Sequence, residues 1–146
     1  MMDLDSLYQD VILDHYKNPH NKGEPSGDFI VHHVNPSCGD EITLSVKVSD
    51  DLITHVTWTG VGCSISQASA SIMSDLVQGK KSAEAFSILS EFTELMQSKG
   101  TLAGDEEILE DAIALSGVSK FPARVKCALL GWMAFKDAAI QNGAQA

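Results

Sequence analysis

Two alternating stretches, separated by two residues, constrain this chain more than anything else in it. Ile42, Leu44, Val46 and Val48 alternate with Thr43, Ser45, Lys47 and Ser49, and beyond Asp50-Asp51 the alternation resumes with Leu52, Thr54, Val56 and Trp58. Successive side chains of a strand point to opposite faces, so the pattern predicts two half-buried strands. The Asp50-Asp51 turn lacks the glycine that marks a tight hairpin. Phe29-Ile30-Val31-His32-His33-Val34 reads as a strand ahead of them. The expectation is a three-stranded antiparallel meander with one face covered by helices.

The remaining apolar residues recur with helical spacing. Residues 3–18 carry Leu4, Leu7, Tyr8, Val11 and Ile12 on one stripe, with Asp3 or Asp5 as the cap and Asn18-Pro19 as the stop. This predicts a docked surface helix, with a mobile arm over the functional site as the alternative. Residues 19–28 read as loop, and His20 as an exposed loop histidine. A helix starts at Cys63, carries Ile65, Ala68, Ile72, Met73 and Leu76, and stops at Gly79. Residues 82–99 form another, capped by Ser82. Asp105 caps a short helix through Ile108, Leu109 and Ala112, and residues 114–120 are a connection. Pro122 opens the last helix, with the stripe Val125, Ala128, Leu129, Trp132 and Phe135, and the tail frays from Gly143. The whole is an α+β fold with helices packed largely on one face of the sheet, read as a single domain over residues 1–146.

Charge and cysteine content narrow the function. The chain has 20 acidic against 10 basic residues, a net charge of −10. A nucleic-acid binder needs a basic footprint, so no nucleic acid is expected as partner. The apolar runs are too short for a membrane span. The start, Met1-Met2-Asp3-Leu4-Asp5, has neither the basic nor the apolar region of an export signal, so a cytoplasmic protein is expected. Three cysteines is an odd count, and in a reducing compartment they stay free.

All three stand at predicted element ends. Cys38 lies in the turn Asn35-Pro36-Ser37-Cys38-Gly39-Asp40, Cys63 at the strand-to-helix junction, and Cys127 early in the last helix. No pair forms a CxxC knuckle, and a single cysteine is commonly a buried small residue. Cys38 and Cys63, however, lie off any apolar stripe, and Gly39 lets Cys38 and Asp40 turn toward one ion. Three thiols and one carboxylate suit tetrahedral zinc. The metal ligands expected are therefore Cys38, Asp40, Cys63 and Cys127. The helix that begins after Cys63 favours its thiolate. Arg124 and Lys126 stand close enough in sequence to Cys127 to offset the excess negative charge. One carboxylate among the thiolates suggests a site whose ligands exchange. His32 and His33, adjacent on a strand, face opposite ways and are not expected to share an ion.

At these residues the chain resembles the IscU/SufU family of iron–sulfur cluster assembly proteins. The motifs that carry the resemblance are Asn35 to Asp40, the run Gly60-Val61-Gly62-Cys63-Ser64-Ile65-Ser66-Gln67-Ala68, and Phe121-Pro122-Ala123-Arg124-Val125-Lys126-Cys127. The opening Leu7-Tyr8 through Asn18-Pro19 also matches. Lys126 stands where the scaffold branch usually has histidine, and residues 99–119 form an insertion; both departures resemble the SufU branch. That resemblance implies a zinc-dependent sulfurtransferase that accepts persulfide sulfur from a pyridoxal-phosphate cysteine desulfurase and feeds downstream iron–sulfur assembly proteins. It implies Zn2+ on Cys38, Asp40, Cys63 and Cys127, Cys38 as acceptor, and a desulfurase histidine that takes over a zinc position. Arg124 is expected to stabilise the freed thiolate. The alternative is a scaffold that holds iron or a transient 2Fe–2S cluster on the same residues.

Overall fold

The computed structural model describes residues 4–27 and 29–144. It consists of α1 (Leu4–Lys17), β1 (Ile30–Asn35), β2 (Asp40–Ser49), β3 (Leu52–Val61), α2 (Ser64–Val77), α3 (Ser82–Gln97), α4 (Glu106–Leu109), a 3-10 helix (Glu110–Lys120) and α5 (Pro122–Gln141). The strands form one antiparallel sheet in the order β1-β2-β3, the expected meander. The expected cap at Asp3 lies outside the described residues, as does the side chain of Asp5.

The hairpin closes through Asp50 and Asp51, both with positive φ (50° and 63°). That is the backbone of a two-residue turn whose twist matches the strands; aspartate tolerates it, so no glycine is needed. Just inside, Lys47 pairs with His55 while Val48 pairs with Ile53, which leaves Thr54 as a bulge. The bulge reverses the predicted phase at the start of β3. Ile53 is fully buried and Leu52 partly exposed, whereas Val56 and Trp58 hold their expected core positions.

Trp58 and Ile53 also anchor the outer edge of β3. Gly23 N–H donates to the Trp58 carbonyl (2.8 Å), Trp58 N–H to Asn21 (3.3 Å) and Ile53 N–H to Lys80 (2.8 Å). The segments after α1 and α2 thus cover an edge that would otherwise present unpaired backbone groups.

The core lies between the sheet and the helices α2, α3 and α5. Trp132 stacks on Phe92 at 4.3 Å between ring centroids. Its indole N–H donates to Ser69 Oγ (3.0 Å), and Ser69 Oγ donates to the Ala128 carbonyl (2.6 Å). A Cβ on Gly131 would stand 3.2 Å from Ala70 Cα, so α2 and α5 cross almost backbone to backbone. The small residues of α2 allow this approach, and both helices begin at the same end of the molecule.

Four local expectations are corrected. Residues 114–120, expected as a connection, belong to a 3-10 helix that runs over Glu110–Lys120. Lys81 is the residue that caps α3, while Ser82 Oγ donates to the Asp51 carbonyl (3.2 Å). Ala144 is buried against the core, so the described tail is packed, not frayed. The stripe assigned to α5 was too narrow: Cys127, Leu130, Gly131, Ala134 and Ala138 are buried as well.

Candidate metal centre

The turn between β1 and β2 builds the first half of the site. The Asn35 carbonyl accepts from the N–H of Cys38 (3.2 Å) and of Gly39 (2.9 Å), and Gly39 adopts φ +70°. Asp40 then enters β2 opposite Asn35 and is 0% exposed. A buried carboxylate needs donors. Its Oδ1 accepts the Cys63 N–H (2.9 Å), the residue that caps α2 and makes no side-chain cap of its own. The positive end of α2 thus falls on the Asp40 carboxylate.

Gly62 makes that contact possible. It has φ +154°, and a Cβ there would lie 2.3 Å from Asp40 Oδ1 and 2.7 Å from Ser66 Oγ. Ser66 Oγ donates to the Cys63 carbonyl (3.0 Å).

The second half comes from α5. Cys127 is 1% exposed, with Sγ 3.2 Å from Cys38 Sγ and 3.7 Å from the Ala123 carbonyl. The buried Asn35 side chain points its amide at Cys127 Sγ across 3.9 Å. Burial, then hydrogen bonds with Asp40 and Cys38, then the charges of Cys63 and Asp40 push the Cys127 thiol far above its ordinary range. All three thiols are free; Cys38 is exposed, Cys63 half-buried and Cys127 buried.

Three of the four expected ligands converge, and Cys63 stands beside the carboxylate among them. One ligand atom each from Cys38, Asp40 and Cys127 lies within 4.8 Å of the others. Cys63 Sγ stands 4.0 Å from Asp40 Oδ2. Tetrahedral zinc with Zn–S bonds of about 2.3 Å needs donors about 3.5–3.8 Å apart, so small side-chain shifts would fit Cys38, Asp40 and Cys127 around the ion, while Cys63 would have to swing in from its place beside Asp40. The donor set fits too, since each further thiolate or carboxylate brought in without a cation would add like charge to a buried cluster.

Arg124 is exposed in the first turn of α5 and lines a groove of about 500 Å³ with Tyr8, Ile12, Ile65 and Phe121. Among the described residues its guanidinium has no ion pair and no side-chain hydrogen bond, and it makes none with Cys38. Lys126 is exposed. His32 and His33 separate as expected: His32 Nδ1 meets Thr43 Oγ1 (2.9 Å), while His33 Nε2 donates to Asp137 (2.9 Å).

Sequence reasoning missed Asn35 as a contact of Cys127, and it missed a second cluster. His20 is solvent-exposed, as expected, but its ring meets Asp75 and lies tilted against the ring of His15, 4.6 Å between centroids. The only sequence signal was their placement: two histidines five residues apart across a helix stop.

An α+β meander with two helices starting at three free thiols and a buried carboxylate defines a small thiol-centred domain. The chain belongs to the NifU-like N-terminal domain family, whose pattern matches residues 7–128. It is 48% identical over 134 residues to the zinc-dependent sulfurtransferase SufU of Bacillus subtilis, covering 91% of this chain and 89% of that protein. It is 44% identical over 135 residues to the iron–sulfur cluster assembly scaffold protein IscU of Streptococcus pyogenes, covering 92% of this chain and 84% of that one. The crystal structure of a SUF-system iron–sulfur cluster assembly scaffold protein from Fervidobacterium islandicum superposes with a TM-score of 0.77. It shares 34% identity, over 90% of this chain and 95% of that one.

Proposed function

We propose that this protein is a zinc-dependent sulfurtransferase that accepts persulfide sulfur from a pyridoxal-phosphate cysteine desulfurase for iron–sulfur cluster assembly in the cytoplasm. We read residues 1–146 as one working domain, because the core is continuous from β1 to the end of α5. One observation carries the reading: of three thiols gathered at a buried carboxylate, Cys38 alone is exposed. Cys38, Asp40, Cys63 and Cys127 would hold zinc. Bound there, zinc would keep the thiols ionised at neutral pH.

The sulfur step uses this chain's own nucleophile. The Cys38 thiolate attacks the terminal sulfur of the desulfurase persulfide. A new S–S bond forms on Cys38, the old S–S bond breaks, and the electron pair leaves with the desulfurase cysteine as thiolate. Asp40 keeps Cys63 in place through the 2.9 Å bond to its N–H. Arg124, with no ion pair among the described residues and three residues before Cys127, supplies positive charge toward the reacting sulfur.

The similarity to the Streptococcus scaffold favours a second reading, a transient 2Fe–2S cluster on the same residues. Lys126 weighs against it, since lysine is not among the usual cluster ligands.

The decisive test is desulfurase turnover with and without the zinc-loaded protein, beside Cys38→Ser. Stimulation that disappears in the variant is expected. No stimulation by the unaltered protein would end the sulfurtransferase reading. A stable coloured cluster after anaerobic reconstitution would replace it with the scaffold.

A further inference from the structure

We propose that His15, His20 and Asp75 form a second metal site, for a first-row divalent ion such as zinc, that ties the end of α1 and the following loop to α2. One ligand atom from each lies within 4.8 Å of the others. Two imidazoles and a carboxylate are a common donor set for such ions, with an open position left for water.

The surroundings favour binding. His15 Nε2 lies 2.9 Å from Asp111 Oδ2, and His15 Nδ1 lies 2.8 Å from Ser71 Oγ. A carboxylate accepts, so Nε2 carries the proton and Nδ1 presents its lone pair. This is how a metal-binding histidine is ordinarily held, with its second nitrogen donating to a carboxylate that fixes the ring and raises its basicity. Ser71 Oγ, which also accepts the His20 N–H (2.8 Å), stands on that lone pair, so the Ser71 side chain has to turn aside for an ion to reach Nδ1. Asp75 is oriented likewise: Asn21 Nδ2 donates to its Oδ1 (3.2 Å), which leaves Oδ2 facing His20. His15 is 2% exposed, so one ligand is locked by packing, while His20 and Asp75 remain open to an entering ion.

This site is separate from the thiol centre. Asp75 lies twelve residues beyond Cys63, about 18 Å along the axis of α2. It needs no sulfur, so it does not depend on the sulfurtransferase reading. Its effect is mechanical, because α1 has few buried side chains of its own and an ion would hold its C-terminal end to the core.

The experiment is a cobalt(II) titration of the metal-free, full-length protein, followed by optical absorption and by counting bound metal. The unaltered protein should take two equivalents. One should show sulfur-to-cobalt charge transfer, and the other ligand-field bands without it. His20→Ala and Asp75→Asn change exposed residues and should leave the fold intact by circular dichroism. Each should keep the first equivalent and weaken the second more than about tenfold. Uptake of a single, sulfur-bound equivalent by the unaltered protein would overturn the proposal, as would a second equivalent unchanged in both variants. Loss of the charge-transfer band alone, with the second equivalent kept, would count against the thiol centre and leave this site standing.

Discussion

The two ends of α2 hold two clusters of candidate metal-ligating side chains, assembled in opposite ways. At its start, Cys38, Asp40, Cys63 and Cys127 come from turns and helix starts, and backbone groups hold them: the Asn35 carbonyl on the Cys38 turn, the Cys63 N–H on Asp40. Further along, His15, His20 and Asp75 come mostly from helix faces, and side chains hold them: Asp111, Ser71 and Asn21. Backbone support makes the thiol cluster sensitive to any change in main-chain conformation. Side-chain support makes the imidazole cluster tolerant of backbone change but sensitive to the loss of a single hydrogen-bond partner. Cys38 is exposed to a reaction partner, whereas His15 is enclosed.

The largest effect expected from breaking this contrast is at Gly62. Gly62→Ala puts a methyl group onto Asp40 and Ser66 in a backbone conformation that alanine resists. A loss of about 3 kcal/mol is expected in chemical denaturation, together with loss of zinc binding. An alanine variant that kept its denaturation midpoint and its zinc would remove backbone support as the distinguishing feature of the thiol cluster.

His15→Ala comes next. It removes a buried ring and two hydrogen bonds, for about 2–3 kcal/mol, with faster amide exchange in α1 and no change in metal at the thiol centre. Accelerated exchange throughout the sheet instead would show that the cluster supports the whole fold rather than α1.

Asp40 separates capping from ligation. Asp40→Ala leaves the buried Cys63 N–H without its acceptor and should cost about 2 kcal/mol, while Asp40→Asn keeps an acceptor oxygen and should cost less than about 1 kcal/mol. Both should weaken zinc binding, measured by competition with a chromophoric chelator. Equal stability of the two variants would deny Asp40 its capping role.

Arg124→Ala should slow sulfur transfer about tenfold at unchanged zinc content and unchanged stability, a difference of about 1.4 kcal/mol in the barrier. Loss of zinc in that variant would reassign Arg124 to holding the centre together.

The smallest effect belongs to a pair outside both clusters. The hydrogen bond from His33, with a second from Gln141, holds the Asp137 carboxyl below its ordinary value of 3.8. A lowered pKa in the folded state means the stabilisation is complete above the unfolded value and fades as pH falls through the folded one. Asp137→Asn should therefore flatten the acid limb of stability below about pH 4 and leave neutral pH almost unchanged, as urea midpoints from pH 6 to pH 3 would record. Identical acid limbs would show that this exposed pair contributes nothing.

Much of this architecture was legible in the sequence. Alternation over Ile42–Val48 and Val56–Trp58 depends only on a two-residue period, while Pro122 marks a helix start through its fixed φ and Gly79 a helix end through its freedom to take positive φ. The ligand candidates were legible because Cys38 and Cys63 stand in turns where packing does not call for cysteine. The Thr54 bulge was not, because it arises from pairing between strands. Nor was the 3-10 helix, whose stability comes from packing against α1, α3 and α5.

What the sequence by itself determined is the local part: which segments extend, which coil, and which side chains can bind soft metal. Only the tertiary structure decided that Cys127 is buried against Cys38 from 89 residues away, and that His15 and Asp111 meet across 96. Local preferences act over a few residues along the chain. Contacts at such separations are selected by how the apolar faces of α1, α2 and α5 close over the sheet, and the burial that results sets how each cysteine and histidine behaves.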